Sequence, residues 1–263
     1  MKNVFLAPEG YLEDGPNPFT RDGAYDRTWT IFIADPGVRG MLFQRKSSHG
    51  CYVVAATPEY EHFDDLMSDF LHYETGQGRK VIFVTDGHSH EKLAVLAPIP
   101  RNLFRPYDPR FLVHSTPLDA YAKILRDGML KSPARLAREG ASVEPIGLAP
   151  LGEPEDYLDY VMFAPGGVTP ELVVNSRLCK NINCDPNAAY QPQARMYFDA
   201  RRLIEDGRIV RDVGMKVYDG VQLAEYLVKT VTADMLAHPG GQGVWTPAAF
   251  SREADEYMSR QAE

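Results

Sequence analysis

Apolar positions in the first hundred residues gather into short runs separated by polar, Gly- and Pro-bearing stretches. Three of these runs, WTIFIA (29–34), CYVVAA (51–56) and KVIFVT (80–85), are rich in β-branched and aromatic residues and predict strands. Between the last two, Phe63, Leu66, Met67, Phe70 and Leu71 recur at helical spacing within FDDLMSDFLHY (63–73). Strands and a helix so arranged read as a small α+β unit. The stretch IPRNLFRPYDPRF (99–111) holds three prolines and little periodicity, which puts a boundary near residue 105.

The pattern then changes. A short strand, FLVH (111–114), runs into a helix that Thr116 is placed to cap, with Pro117 at its first position and Asp119 in its first turn. Leu118, Tyr121, Ala122 and Leu125 mark one face, and Gly128 ends the helix in a left-handed turn. Residues 132–156 are rich in Pro, Gly and Glu and read as a long loop. Strand-like segments follow at YVMFA (160–164), ELVVN (171–175), RMYFDA (195–200) and VQLAEYLV (221–228), and PAAFSREADEYMSRQAE (247–263) reads as a charged, amphipathic helix. Strand, helix, loop and then mostly strands predict an α+β domain over 106–263 behind a smaller N-terminal α+β domain over 1–105, whose role the pattern leaves open.

Composition narrows this little: 44% hydrophobic and 24% charged residues are ordinary for a globular protein, so the pattern has to carry the class. Charge changes more. A formal net charge of −8 counts against a surface coated for non-specific nucleic-acid binding, while leaving room for a local basic groove. No apolar run is long enough to cross a bilayer, and the opening MKNVFLAPEGYLEDG lacks the apolar core of a signal peptide. Cys51, Cys179 and Cys184 are too few and too scattered for a disulfide framework. A cytoplasmic protein with reduced thiols and no membrane partner is the expectation.

Candidate chemistry lies in three places. Alternation along VQLAEYLV puts Val221, Leu223, Glu225 and Leu227 on one face, so the Glu225 carboxylate sits among apolar neighbours unless this is an edge strand with Glu225 in solvent. His114, Ser115 and Thr116 stand at a strand-to-helix junction, where side chains and backbone N–H groups converge at the positive end of a helix. The plainer reading is a capping Thr beside an incidental His. In LDYVMFAPGGVTPEL (158–172) a β-type run breaks into Pro-Gly-Gly, which lets backbone approach a ligand or simply makes a turn. Cys179 and Cys184 lack zinc spacing, and His88 and His90 alternate on a surface turn, so no metal is expected. Gly-rich phosphate loops and a Ser-nucleophile elbow are absent.

Taken in order, these blocks resemble the ADP-ribosyltransferase superfamily, which includes the poly-ADP-ribose polymerases, and within it the DarT-type enzymes. FLVHSTPLDAYAKILRDGMLKS is similar to the family's opening, a His-x-Thr strand and a helix ending in an Ile-Leu-x-x-Gly-Leu-like turn. LDYVMFAPGGVTPEL resembles the second DarT block, Asp-Tyr-Val-Pro-Phe-Tyr-Phe with a Pro-rich turn, and VQLAEYLVKTVTADML resembles the third, around Gln-Ala-Glu-Phe-Leu-Val. The resemblance spans roughly residues 106–240.

It implies split mixed β-sheets around an NAD cleft, with NAD as substrate. The implied activity is mono-ADP-ribosyl transfer to a nucleobase in single-stranded DNA or RNA, with a toxin or anti-phage role and an antitoxin or ADP-ribose hydrolase as antagonist. The alternatives are a protein acceptor, or an inactive transferase fold serving as a binding module. By this resemblance His114 binds the ribose 2′-hydroxyl, the Ser115 backbone holds the nicotinamide carboxamide, and Thr116 supports the same loop. Tyr160 and Phe163 border the nicotinamide. Glu225 is catalytic, binding the ribose and activating the acceptor. Arg135 and Arg138 are positional candidates for a DarT loop arginine, with Arg138 carried as catalytic. Met162 departs from the polymerase tyrosine, and Leu223 departs from the acid or amide of arginine-modifying transferases. Lys123, Arg126, Lys131, Arg135 and Arg138, set against Asp119, Asp127 and Glu139, form either a basic strip for a nucleic-acid backbone or a solvated face. Arg201, Arg202, Arg208 and Arg211 are further candidates for such a groove.

Overall fold

The computed structural model describes residues 4–7, 29–34, 43–46, 52–56, 61–84, 97–142, 155–212, 214–236 and 244–261. The chain divides into two compact units, one of Met1–Pro100 with Leu148–Glu155 and Val210–Gly214, the other of Arg101–Gly147, Asp156–Ile209 and Met215–Glu263. Both mix helices and sheets, and the protein is of the α+β class.

The first unit holds β1 (Val4–Ala7), β2 (Trp29–Ala34), β3 (Phe43–Lys46), β4 (Tyr52–Ala56), α1 (Phe63–Gly76) and β5 (Lys80–Val84). They form one sheet in the order β1-β5-β2-β4-β3, parallel except where β3 runs against β4. Parallel strands need a crossover, and α1 supplies it between β4 and β5, which flank β2. Val81, Ile82 and Phe83 of β5 are wholly buried, as expected of a strand covered on both faces. On α1 the predicted stripe is buried at Phe63, Met67, Phe70 and Leu71, and a buried Glu74 paired with Arg79 (2.5 Å) holds its last turn. β1 and β3 have no counterpart among the predicted runs.

The second unit is built on β6 (Phe111–Thr116), β9 (Ala194–Asp199) and β13 (Leu227–Val231), antiparallel in the order β13-β9-β6. Ala194 to Phe198 of the central β9 are all buried, because both faces of this sheet are covered. One face carries Leu112, Met196 and Phe198. They pack against β7 (Met129–Lys131), β8 (Tyr160–Phe163), β11 (Met215–Tyr218) and β12 (Gly220–Gln222), which form the antiparallel pairs β8–β11 and β7–β12. Ile209, which opens β10 (Ile209–Arg211), joins that core. The other face carries Val113, Tyr197 and Val231 against the C-terminal helix, Pro247–Gln261.

Several elements depart from the predicted pattern. Residues 118–127 form α2 (Leu118–Asp127), but Pro117 occupies its cap position, Thr116 stays in β6, and the Gln193 amide oxygen takes the Leu118 N–H (2.9 Å). Its packed side chains are Tyr121 and Ile124, whereas Leu118, Ala122 and Leu125 are exposed. Gly128 is left-handed (φ 66°), as its position predicts. The supposed loop from 132 opens with α3 (Pro133–Arg138), capped by the Ser132 hydroxyl; residues 143–154 lie outside the described set. ELVVN is not a strand: it lies within α4 (Thr169–Cys179), where Glu171, Val174 and Asn175 are buried at helical spacing. A helix of six residues, α5 (Ala200–Glu205), follows β9.

VQLAEYLV is the largest correction. It is broken into β12, a single turn α6 (Leu223–Tyr226), and β13. Leu223 and Tyr226 are buried three residues apart, a helical interval, and the strand alternation that placed Glu225 among apolar neighbours does not hold. The terminal helix α7 (Pro247–Gln261) buries Phe250, Ala254 and Met258 as its amphipathic pattern predicts.

Candidate functional site

His114 stands on β6, on the face shared with Leu112 and Met196, and therefore looks into the space between β6–β9–β13 and β8–β11. Its ring meets Phe163 edge-on, centroids 6.2 Å apart, and Phe163 in turn meets Phe198 at 5.2 Å. Nδ1 lies 3.1 Å from the Met162 carbonyl oxygen. A carbonyl only accepts, so Nδ1 carries the proton and Nε2 keeps a lone pair for another donor. Burial pushes the imidazole pKa down to about 4; the Met162 bond opposes the shift and the Arg177 charge adds to it. At neutral pH His114 is an uncharged acceptor.

Next to it lies an open backbone edge. Val113 N–H donates to Ala164 C=O (2.8 Å) and Ala164 N–H donates to Val113 C=O (3.0 Å), on the side of β6 away from β9. Backbone direction in a strand repeats every second residue, so the Ser115 N–H and C=O point to that same outer side. There the partner chain has turned away into Pro165-Gly166-Gly167. Gly166 (φ 124°) and Gly167 (φ 71°) both adopt backbone that other residues rarely take, which makes this departure possible. One donor and one acceptor on a single residue match a primary carboxamide.

Behind the sheet the Ser115 hydroxyl donates to Glu171 Oε1 at 2.6 Å. The other Glu171 oxygen pairs with Arg195, the residue directly across the ladder from Ser115. Arg195 also donates to the Tyr197 hydroxyl (2.7 Å), to Gly167 C=O (3.1 Å) and to Asp255 Oδ1 (2.7 Å). Asp255 accepts from the Tyr197 hydroxyl (2.7 Å) and, through Oδ2, from Gly167 N–H (3.0 Å). Burial disfavours the Arg195 charge, and Glu171, Tyr197 and Asp255 more than restore it, so the guanidinium remains a cation.

The other residues expected here are placed less closely together. Thr116 is buried in β6, two residues on from His114. Phe163 faces His114, but Tyr160 lies on the opposite face of β8, its ring 4.6 Å from the Lys216 ammonium and edge-on to Tyr218. Glu225 is exposed on α6, and its carbonyl accepts from Arg202 (2.7 Å). The ladder aligns His114 with Met196 and Met196 with Thr230, so Glu225 precedes by five residues the β13 position level with His114. No hydrogen bond joins the two. Arg138 is mostly exposed and pairs with Asp219, which also holds Arg135 (2.7 Å). Asp219 (φ 64°) sits in the turn before β12, so both arginines are tied to the segment that leads to Glu225.

The basic strip is largely neutralised. Lys131 pairs with Asp127 (2.8 Å) and Glu139 (2.6 Å), and Arg135 pairs with Glu139 (3.0 Å) as well as Asp219. Arg201 and Arg202 lie against the Phe104 and Tyr226 rings, and Arg208 donates to Gly220 C=O (3.1 Å). By contrast the Arg177 side chain, on α4, has no ion-pair or hydrogen-bond partner among the described residues, and its charge reaches His114. Glu171 falls at the end of the LDYVMFAPGGVTPEL block without a role assigned to it, Arg195 stands beside the apolar run MYF, and Arg177 and Asp255 sit in polar surroundings that carry no signal. Cys179 and Cys184 are free thiols, while Cys51, His88 and His90 lie outside the described residues. Among the described residues no cluster of His, Cys, Asp and Glu could hold a metal ion, and no helix is long and apolar enough to cross a membrane. A scan against protein-family models and searches of curated proteins and of solved structures returned no match.

Proposed function

We propose that the chain is an NAD-dependent mono-ADP-ribosyltransferase, its NAD cleft lying between β6 and β8 and its acceptor a nucleobase in single-stranded DNA or RNA. The observation that carries this reading is the pairing of a neutral His114, its Nε2 free to accept, with the backbone donor and acceptor of Ser115, which have no partner among the described residues. The first suits a ribose hydroxyl and the second a carboxamide one residue away, which are the two groups flanking the glycosidic bond of NAD.

In the reaction the C1′–nitrogen bond breaks and its electron pair leaves with nicotinamide, which departs neutral. The acceptor atom forms the new bond to C1′, and its proton passes to the Glu225 carboxylate and then to water. A carboxylate near C1′ also stabilises developing oxocarbenium charge, and base catalysis of this kind contributes about 10²–10⁴-fold. Solvent exposure of Glu225 suits an acceptor that arrives from outside.

A second reading keeps the transfer and changes the acceptor to a protein side chain. It is favoured by the ion pairs that engage Lys131, Arg135 and Arg138, which neutralise the part of the expected basic strip that they form. Incubation with labelled NAD and, separately, single-stranded DNA, RNA or lysate protein tests both. Label on nucleic acid that disappears with Glu225→Ala supports the first reading, and label on protein alone supports the second. Absence of both transfer and nicotinamide release would reject the transferase reading.

A further inference from the structure

Among the described residues the guanidinium of Arg195 is the group that links both sides of the open edge. On the strand side it holds Glu171, which holds Ser115; on the turn side it holds the Gly167 carbonyl directly and the Gly167 N–H through Asp255. Four parts of the second unit thus meet on one buried side chain, namely α4, β9, the Pro-Gly-Gly turn and the C-terminal helix, and β6 joins them through Glu171. Burying such a network adds little stability over an apolar replacement of similar volume, while removing one partner leaves a buried charge unmatched. Its distinctive effect is geometric. A planar fork with fixed donor directions sets distances that a hydrophobic contact would leave soft. At Gly166 a Cβ would make only ordinary contact with Asp255 Oδ2 (3.5 Å), so the backbone conformation (φ 124°) rather than space calls for glycine there.

We propose that Arg195 and Asp255 are positioning residues that fix the Gly167 turn against the Ser115 edge, and that this spacing sets the affinity for the carboxamide end of NAD. The proposal rests on the transferase reading above and adds residues on the far side of the sheet that touch no ligand. It makes the C-terminal helix part of the donor site, because Asp255 is its only side chain bonded to the turn among the described residues.

Binding of nicotinamide, NAD and ADP-ribose to the full chain, measured by calorimetry for the wild type, Arg195→Lys and Asp255→Asn, separates the possibilities. ADP-ribose lacks the carboxamide, so general damage lowers its affinity and a shifted turn does not. Both variants are expected to weaken nicotinamide and NAD by about tenfold, the equivalent of one good hydrogen bond, and to leave ADP-ribose within about twofold. Exchange of the Gly167 amide proton should accelerate in Asp255→Asn. If Arg195→Lys fails to fold, Asp255→Asn decides alone, since its side chain is one-third exposed. A folded Asp255→Asn that binds nicotinamide as the wild type does, or loses ADP-ribose equally, overturns the proposal and leaves the transferase reading standing. A wild type that binds none of the three ligands overturns both.

Discussion

A histidine that must accept a hydrogen bond has to be neutral, and the surroundings of His114 enforce that at the level of one ring. Burial lowers its pKa to about 4, and the proton on Nδ1 is directed to the Met162 carbonyl. The folded pKa is below the unfolded one, near 6.5. The unfolded chain therefore binds the proton first, and the stability linked to His114 is complete above pH 6.5 and lost as the pH falls toward 4. A shift of that size is worth at most about 3 kcal/mol. Carboxylates titrate in the same window, so the difference between wild type and His114→Gln is the measurement. Chemical denaturation at pH 7 and at pH 4.5 should show the wild type losing more stability on acidification than the variant. Equal losses would mean that the ring is not held neutral by its surroundings.

Among elements, the Pro-Gly-Gly turn makes the sharpest demand on sequence. Gly167 (φ 71°) has open space where a Cβ would stand, so Gly167→Ala meets only the backbone penalty, roughly 1–2 kcal/mol. A fall in Tm of a few degrees is expected, together with weaker nicotinamide binding if the proposed donor site is correct; an unchanged Tm would show that the turn relaxes freely. This turn was legible in the sequence, as were β5, β9 and α1, whose apolar runs are either unbroken or strictly periodic and are buried as written. The failures have a common cause. Val173 and Val174 favour a strand locally, yet the segment is helical because Thr169-Pro170 opens a turn and Glu171 is drawn under the sheet by Ser115 and Arg195. In VQLAEYLV the apolar residues fit a two-residue and a three-residue period almost equally, and the burial of Leu223 and Tyr226 decides for one helical turn. At the site, His114 and the open side of Ser115 follow from a strand ending at a motif. The Arg195 network depends on pairing between residues 24 to 88 positions apart, for instance Glu171 with Arg195, which no local pattern encodes.

For the whole molecule, the nucleic-acid acceptor of the proposed reading has to approach an acidic protein. With a net charge of −8 the long-range field repels a polyanion, so local unpaired cations must do the binding. Lys131, Arg135 and Arg138 already have carboxylate partners, and Lys123 and Arg177 have none among the described residues, while Arg126 lies 3.9 Å from Asp127. Two or three phosphate contacts on single-stranded nucleic acid give a slope of log K against log salt of about −1.4 to −2. Titration of a fluorescent oligonucleotide between 50 and 200 mM salt, roughly the range over which such slopes are resolved, should return that shallow dependence. A slope of about −4 or steeper would require the Asp219 and Glu139 pairs to open when the strand binds, which charge-neutralising variants such as Asp219→Asn would then enhance. No salt-dependent binding at all, with labelled transfer to lysate protein intact, would move the acceptor to a protein side chain and make the neutralised strip a solvated face.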